Sequence, residues 1–293
     1  MRQEGLLYLL PAAALLLVVL AAPVARLAWL SLQEVEVTPG GGAEFVGLAH
    51  FARALADGIF HRSLVTSALF TALSLAAELL LGLGMALILH ASFPGRGAVR
   101  AAALIPWTLP PAVMAIGWRW IYHDSYGILT AGLVALGLLA PGTTWLGDRH
   151  LALAAVIVAD VWKTAPFVML IVLAGLQAVP PELHEAALLD GAGPVRRFTM
   201  VTLPYLRPYL ALALLFRGVQ AFGVFDLVRV LTGGGPGGAT RVVALALYDT
   251  FYRYLEFGYG AALTLLTLAL LGLWAAAMVR AGRSRLDQEA GSR

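Results

Sequence analysis

The chain has 293 residues, 60% of them hydrophobic and 13% charged, whereas an ordinary soluble domain is about 25% charged. This excludes a soluble globular enzyme and predicts a single integral membrane domain, because long apolar runs occupy the length that an independent soluble core would need. The absence of cysteine excludes disulfides, thiolate metal sites and thiol nucleophiles, and a net charge of +3 without a clustered basic face excludes a nucleic-acid partner.

The first apolar run extends from Leu6 to Leu32. Its "APVA" resembles a signal-peptidase site, but a signal core is only about 7–15 residues long. As a helix this run reaches roughly 40 Å, which predicts a retained, tilted span with Trp29 at its outer interface. The following stretch, "QEVEVTPGGGAEFVGLAHFARALADGIFHR", is rich in turn residues and carries three Glu and one Asp; it predicts an exposed outer loop with a short helix at Phe51 to Leu55. Five further spans are predicted at Leu64 to Leu89, Val99 to Ile121, Leu151 to Ala178, Pro208 to Val230 and Gly258 to Val279, giving six. Arg2, Arg96, Arg100, Arg196, Arg197, Arg207, Arg280, Arg283 and Arg285 then fall on one side, and Arg53, Arg62, Arg149, Arg241 and Arg253 on the other. The excess places both termini in the cytoplasm. The chain carries no internal repeat of the inverted-repeat transporter kind, and only the tail after Arg280 is polar throughout.

Residues 182–210, "ELHEAALLDGAGPVRRFTMVTLPYLRPYL", are amphipathic and basic between two spans. Prolines suit a first helical turn, Glu182 complements a helix N-terminus, and Gly191 supplies the positive φ that ends a helix. A short helix is therefore predicted from Pro181 to Leu189 and a second from Pro194, "PVRRFTMV", with "LPYLRP" breaking it before span five. Such a helix-turn-helix is too short to be stable alone. It is either a docking element or a connector lying on the membrane.

Glu78, Asp160, Lys163, Thr164, Arg217, Gln220 and Asp226 lie in or near the spans, where ionisable groups are expensive unless paired or hydrated. Asp160 and Lys163 stand three apart on a helix, a spacing that predicts mutual neutralisation; Glu78 needs a cation from another span, and Arg217 has the right sign. "GGGPGG" at 233–238 lacks the Lys-Ser/Thr of a phosphate loop and reads as a flexible outer loop. The histidines at 50, 61, 90, 123, 150 and 184 lack metal-ligand spacing, so no metal site and no catalytic residue are predicted.

"EAALLDGAGPVRRFTMVTLP" resembles the EAA loop of binding-protein-dependent ABC importer permeases. The matching positions are Glu185, Ala186, Ala187, Asp190, Gly191, Ala192, Val201, Leu203 and Pro204, with Val201 where the family most often has Ile. "ADVWKTAPFVMLIVLAGLQAVP", "LLFRGVQAFGVFDLVRVLTGGGP", "LYDTFYRYLEFGYGAAL" and "PAVMAIGWRWIYHDSYGILT" extend the similarity over nearly the whole chain, to maltose- and trehalose-type sugar permeases and most of all to the first, maltose-F-like partner. The resemblance implies an all-α MetI-like transmembrane fold: an N-terminal span and outer loop at 1–63, a five-helix core at 64–280 with the EAA loop at 181–204, and a cytoplasmic tail at 281–293. It implies a bacterial or archaeal cytoplasmic-membrane location, and as partners a second permease, two ATPase subunits and an extracytoplasmic sugar-binding protein. This chain would hold no cofactor, since ATP and Mg would belong to the ATPase, and it would hydrolyse nothing.

In that setting Glu185, Ala186, Ala187, Asp190, Gly191, Ala192, Leu203 and Pro204 would couple to the ATPase. A neutral sugar needs hydrogen-bonding groups and aromatic faces without uncompensated charge, which selects Trp162, Thr164, Gln220, Phe222, Phe225 and Asp226 for the pathway, with Gly223 allowing local deformation. A permease for another cargo such as a glycerol phosphodiester stays open. So do an ion-coupled channel or secondary transporter with Glu78, Asp160 and Asp226 as a relay, and a non-transporting anchor for a cytoplasmic ATPase.

Overall fold

A computed structural model of the chain describes residues 2–37 and 41–291, with the backbone alone for 2–10, 12 and 281–291. Arg2, Arg283 and Arg285 thus have side chains outside the described residues. In chain order the elements are α1 (Arg2–Leu30), β1 (Gln33–Val35), β2 (Ala43–Phe45), α2 (Ala49–Ala56), α3 (Gly58–His90), α4 (Arg96–Thr108), α5 (Pro111–Ile121), α6 (Ile128–Ala135), α7 (Arg149–Gln177), α8 (Pro181–Leu189), α9 (Pro194–Arg197), a π-helical turn (Phe198–Thr202), α10 (Leu203–Phe222), α11 (Asp226–Leu231), α12 (Val243–Tyr248), a second π turn (Asp249–Arg253) and α13 (Phe257–Gly291). Among the described residues five helices are long and apolar enough to cross a membrane, and α4 with α5 make a sixth if that bent pair is counted as one span.

That sixth span departs from expectation. Val99 to Ile121 is not one straight helix, because α4 and α5 meet at 95°. The break falls at Leu109 and Pro110, both extended, where two consecutive prolines remove backbone donors and push the residues before them out of the helical region. Span five departs too. "LPYLRP" does not break the chain: Pro194 to Phe222 is continuous, because the π turn, in which the Leu203 N–H donates to Phe198 O, widens the helix just ahead of Pro204. The helix instead ends at Phe222, and α11 starts anew at Asp226.

The chain forms two compact units, one of Met1–Arg62 with Ala246–Leu273, the other of Ser63–Leu245 with Trp274–Arg293. In the first, β1 and β2 pair antiparallel with Gln33 opposite Phe45, a ribbon the sequence did not announce, and the predicted short helix is α2. Arg53 lies 3.9 Å above the Tyr259 ring and 2.8 Å from Glu256, while Tyr259 Oη donates to Asp57 Oδ2 at 2.7 Å. Asp57 Oδ1 in turn accepts from the Ile59 and Phe60 amides at the start of α3. His50 Nε2 sits 3.1 Å from Gln33 O and 3.5 Å from Glu34.

The second unit is built around α7, which packs against α4 and α10 while α11 packs against α5. Ala152, Ala155 and Ala159 on the buried face of α7 let neighbouring backbones approach closely, the usual device where no water drives helices together. Gly218 of α10 serves the same end, for a Cβ there would run into the Trp274 indole. The segment 233–238, expected as a flexible outer loop, is a series of turns bridged by threonine hydroxyls. Thr240 Oγ1 donates to Gly235 O at 2.7 Å, Thr232 and Thr240 hydroxyls lie 2.7 Å apart, and the Gly234 N–H donates to Thr232 Oγ1. At the other end, α13 runs on through the polar tail to Gly291.

Candidate functional site

Two places in the second unit gather candidate functional side chains. The first is the turn between α8 and α9. Pro181 opens α8 with Glu182 in its first turn, and the helix stops at Asp190. Gly191 takes φ +72°, its N–H donates to Leu188 O at 3.0 Å, and the Ala192 N–H donates to Ala187 O at 2.9 Å. These two bonds form a Schellman motif, in which the left-handed residue turns the chain so that orphan helix carbonyls are satisfied. Glu185, Ala186, Asp190 and Gly191 are exposed, Ala187 and Ala192 partly so, and Leu203 and Pro204 form the half-buried start of α10. Around them Leu188, Leu189, Val195 and Met200 are exposed as well, Leu189 at 90%. A polar turn is thus ringed by exposed aliphatic side chains, a surface of the kind that meets another protein or the membrane.

The second place is a buried polar cluster where α3, α7 and α10 meet. Arg217 Nε donates to Glu78 Oε2 and Nη2 to Glu78 Oε1, both at 2.7 Å, a bidentate pair. Nη2 also reaches Asp160 Oδ2 at 3.0 Å, and Nη1 donates to Gln220 Oε1 at 3.1 Å. Thr164 Oγ1 lies 2.7 Å from Glu78 Oε1 and 2.6 Å from the Asp160 carbonyl, its one proton serving either. Glu78 is fully buried. The expected choice of Arg217 for Glu78 is thus what the structure contains, whereas the Asp160–Lys163 pair is not. Asp160 turns to Arg217, and Lys163 Nζ donates to Trp107 O at 3.1 Å, at the C-terminal end of α4. A carbonyl exposed by the α4–α5 break needs a donor, and that need takes Lys163 away from its neighbour.

Among the residues selected for a sugar pathway, Thr164 and Gln220 are drawn into this cluster; Gln220 is exposed beyond it, while Thr164 is buried. Trp162 lies on the exposed side of α7, edge-on to Trp118 at 5.7 Å. Phe222 ends α10, Phe225 packs on the core beside Val228, and Asp226 is exposed at the first turn of α11. Sequence reasoning missed the rest of the aromatic run. Trp118 lies 5.1 Å from Tyr122, and Tyr122 lies 5.4 Å from Trp145 with its hydroxyl donating to Ala155 O. The i, i+4 spacing of Trp118 and Tyr122 was the available signal.

Comparison with known proteins places this geometry in a family. Residues 78–286 match the model of the "binding-protein-dependent transport system inner membrane component". The chain is 42% identical over 283 residues to the trehalose/maltose transport system permease protein MalF of Thermococcus litoralis, covering 97% of this chain and 95% of the relative. It is 38% identical over 269 residues to the sulfoquinovosyl glycerol transport system permease protein SmoG of Agrobacterium fabrum, covering 92% and 87%. Its fold is similar to a chain of a bacterial alginate ABC transporter solved in complex with an alginate pentasaccharide-bound periplasmic protein, at a TM-score of 0.79 with 21% identity and 94% and 93% coverage. The α8–α9 turn and the buried cluster both lie inside the matched stretch, and the chain belongs to the family of binding-protein-dependent transport system inner membrane components, as a multi-pass permease subunit.

Proposed function

We propose that this chain forms, with a second permease, the pathway for ATP-driven uptake of a neutral di- or oligosaccharide of the trehalose/maltose type. An extracytoplasmic binding protein delivers the sugar, and two ATPase subunits, which hold ATP and Mg, dock on residues 181–204. Glu185, Ala186, Ala187, Asp190, Gly191, Ala192, Leu203 and Pro204 form the coupling surface. Trp162, Gln220, Phe222, Phe225 and Asp226 line the pathway within the 64–280 core, with Thr164 behind them. The protein sits in a bacterial or archaeal cytoplasmic membrane with both termini inside.

One observation carries the choice of a neutral cargo. Arg217 directs four of its five N–H donors at Glu78, Asp160 and Gln220, so the buried guanidinium is compensated within the protein and is not offered to a phosphate or sulfonate. The trehalose/maltose relative supports the same class. The sulfoquinovosyl glycerol relative favours a second reading, an anionic glycoside. Uptake of labelled trehalose and maltose by proteoliposomes carrying the whole complex, with sulfoquinovosyl glycerol and glycerophosphodiesters as competitors, decides between them. Neutral sugars are expected to be imported and the anions to compete poorly; preferential import of an anion would overturn the assignment.

A further inference from the structure

Gln220 combines two properties that the other pathway candidates lack together, since it is exposed on α10 and tied from behind to a fixed cation. A guanidinium has only donors, so the Gln220 group facing Arg217 Nη1 at 3.1 Å is its carbonyl oxygen. With Oε1 turned toward Arg217, the end of the amide directed away from the cluster is its NH2 with two donors. Arg217 is itself immobile, held at 2.7 Å by both oxygens of fully buried Glu78 and at 3.0 Å by Asp160. An unrestrained glutamine turns its amide to present either end, whereas this one is oriented by a chain of bonds that begins on α3 and ends on α10.

We propose that Arg217 is a positioning residue, holding the Gln220 amide with its NH2 outward so that its donors read an acceptor oxygen, a hydroxyl or ring oxygen, of the passing sugar. This rests on the sugar-permease assignment above. It explains why a charged trio is kept at a site where a neutral ligand is handled. The guanidinium never meets the sugar; it sets which half of an amide does. Glu78 and Asp160 act one step further back by fixing Arg217.

A double-substitution cycle on the assembled importer tests this. Uptake of labelled trehalose and maltose is measured for the parent, Gln220→Ala, Arg217→Lys and the double variant, with co-purification of all subunits as the assembly control. Lysine at 217 still pairs with Glu78 but lacks the second arm that reaches Gln220. Each single change is expected to lower uptake about tenfold, the scale of one charge-assisted hydrogen bond. If Arg217 acts through Gln220, the double variant loses about tenfold as well, because the second change removes nothing more. A hundredfold loss in the double variant, or parental uptake by Gln220→Ala, would overturn the proposal. Should the Arg217→Lys complex fail to assemble, Gln220→Glu decides: a carboxylate there keeps the bond to Arg217 and removes both donors. A tenfold loss in that assembled complex supports the proposal, and parental uptake overturns it. A parental complex that imports neither sugar overturns the cargo assignment and this inference with it, whereas parental import with unaffected variants overturns the inference alone.

Discussion

Three helices of the second unit converge on the side chain of Arg217, and its energetics follow from where it lies. Burying an ion is expensive, and the cost is offset only by close, well-directed partners. The bidentate bond to Glu78 and the further bond to Asp160 provide them. Removing one partner leaves a buried charge without its counterion, which costs on the order of 3–5 kcal/mol in soluble proteins. Glu78→Ala is therefore expected to lower the melting temperature of the detergent-purified chain by several degrees. Lys163→Met, which gives up the bond to Trp107 O and the longer-range attraction of Asp160 but leaves no buried charge unpaired by a direct contact, is expected to cost less. Equal melting of parent and Glu78→Ala would contradict this account. Asp57, outside the spans, gives a second residue-level test. Burial alone would raise its pKa. Bonds from Tyr259 Oη and the Phe60 and Ile59 amides, with the charge of Arg53, outweigh that and hold the carboxyl below its ordinary 3.8. The fold thus favours the ionised form, and the stability it contributes is complete above 3.8 and lost as pH falls through the lower, folded value. Asp57→Asn should melt below the parent at neutral pH, and the gap should close under more acid conditions; a gap independent of pH would remove the carboxylate from the explanation. The sequence made Glu78–Arg217 legible, because an intramembrane acid demands a base and few bases were available. It misled at Asp160, where the nearest cation in sequence is bonded to the carbonyl of Trp107, 56 residues away along the chain and exposed by the α4–α5 break.

At the scale of elements, the α8–α9 turn was legible almost residue by residue. Its signals are local: Pro181 at a helix start, Glu182 in the first turn and Gly191 at the stop. No atom lies within 4 Å of a Cβ built on Gly191, so a side chain there would be strained by φ +72° and not by crowding. Gly191→Val is expected to cost more than about 1 kcal/mol locally and to misdirect the loop while the spans fold normally. Glu185→Lys is expected to remove about 1.5–3 kcal/mol of docking energy. Both variants should insert into the membrane yet fail to co-purify with the ATPase; undiminished association in both would make this turn a mere connector. The opposite kind of glycine is Gly218, where crowding decides. Gly218→Leu must displace Trp274 and is expected to cost about 1–3 kcal/mol, partly recovered by Trp274→Ala, and a stable single variant would refute the close packing. The α4–α5 bend was harder to read. Leu109-Pro110-Pro111 announced it, but uninterrupted apolarity on both sides read as one span, because hydropathy reports where a chain is buried in lipid and not whether it runs straight. The π turn before Pro204 was illegible for a related reason: proline announces a lost hydrogen bond, and the chain can absorb that loss by widening instead of stopping.

For the whole molecule, the arginine distribution predicts the orientation that the proposed coupling and pathway residues require. Single cysteines at Gly41, Gly95, Gly147, Gly193 and Gly237, in a chain that has none of its own, report the exposed side in intact cells. Positions 41, 147 and 237 are expected to react with an impermeant reagent, and 95 and 193 to stay unreacted. Reaction at 193 from outside would invert the placement of the docking turn. On the proposed function, the energy for transport enters through that turn from another protein, and this chain contributes a passage and no engine. The measurement that addresses this most directly is accumulation of labelled trehalose in proteoliposomes, comparing the full complex supplied with lumenal ATP and binding protein against this chain alone under a proton or sodium gradient. The account predicts accumulation in the first case and none in the second; gradient-driven accumulation by the chain alone would contradict it.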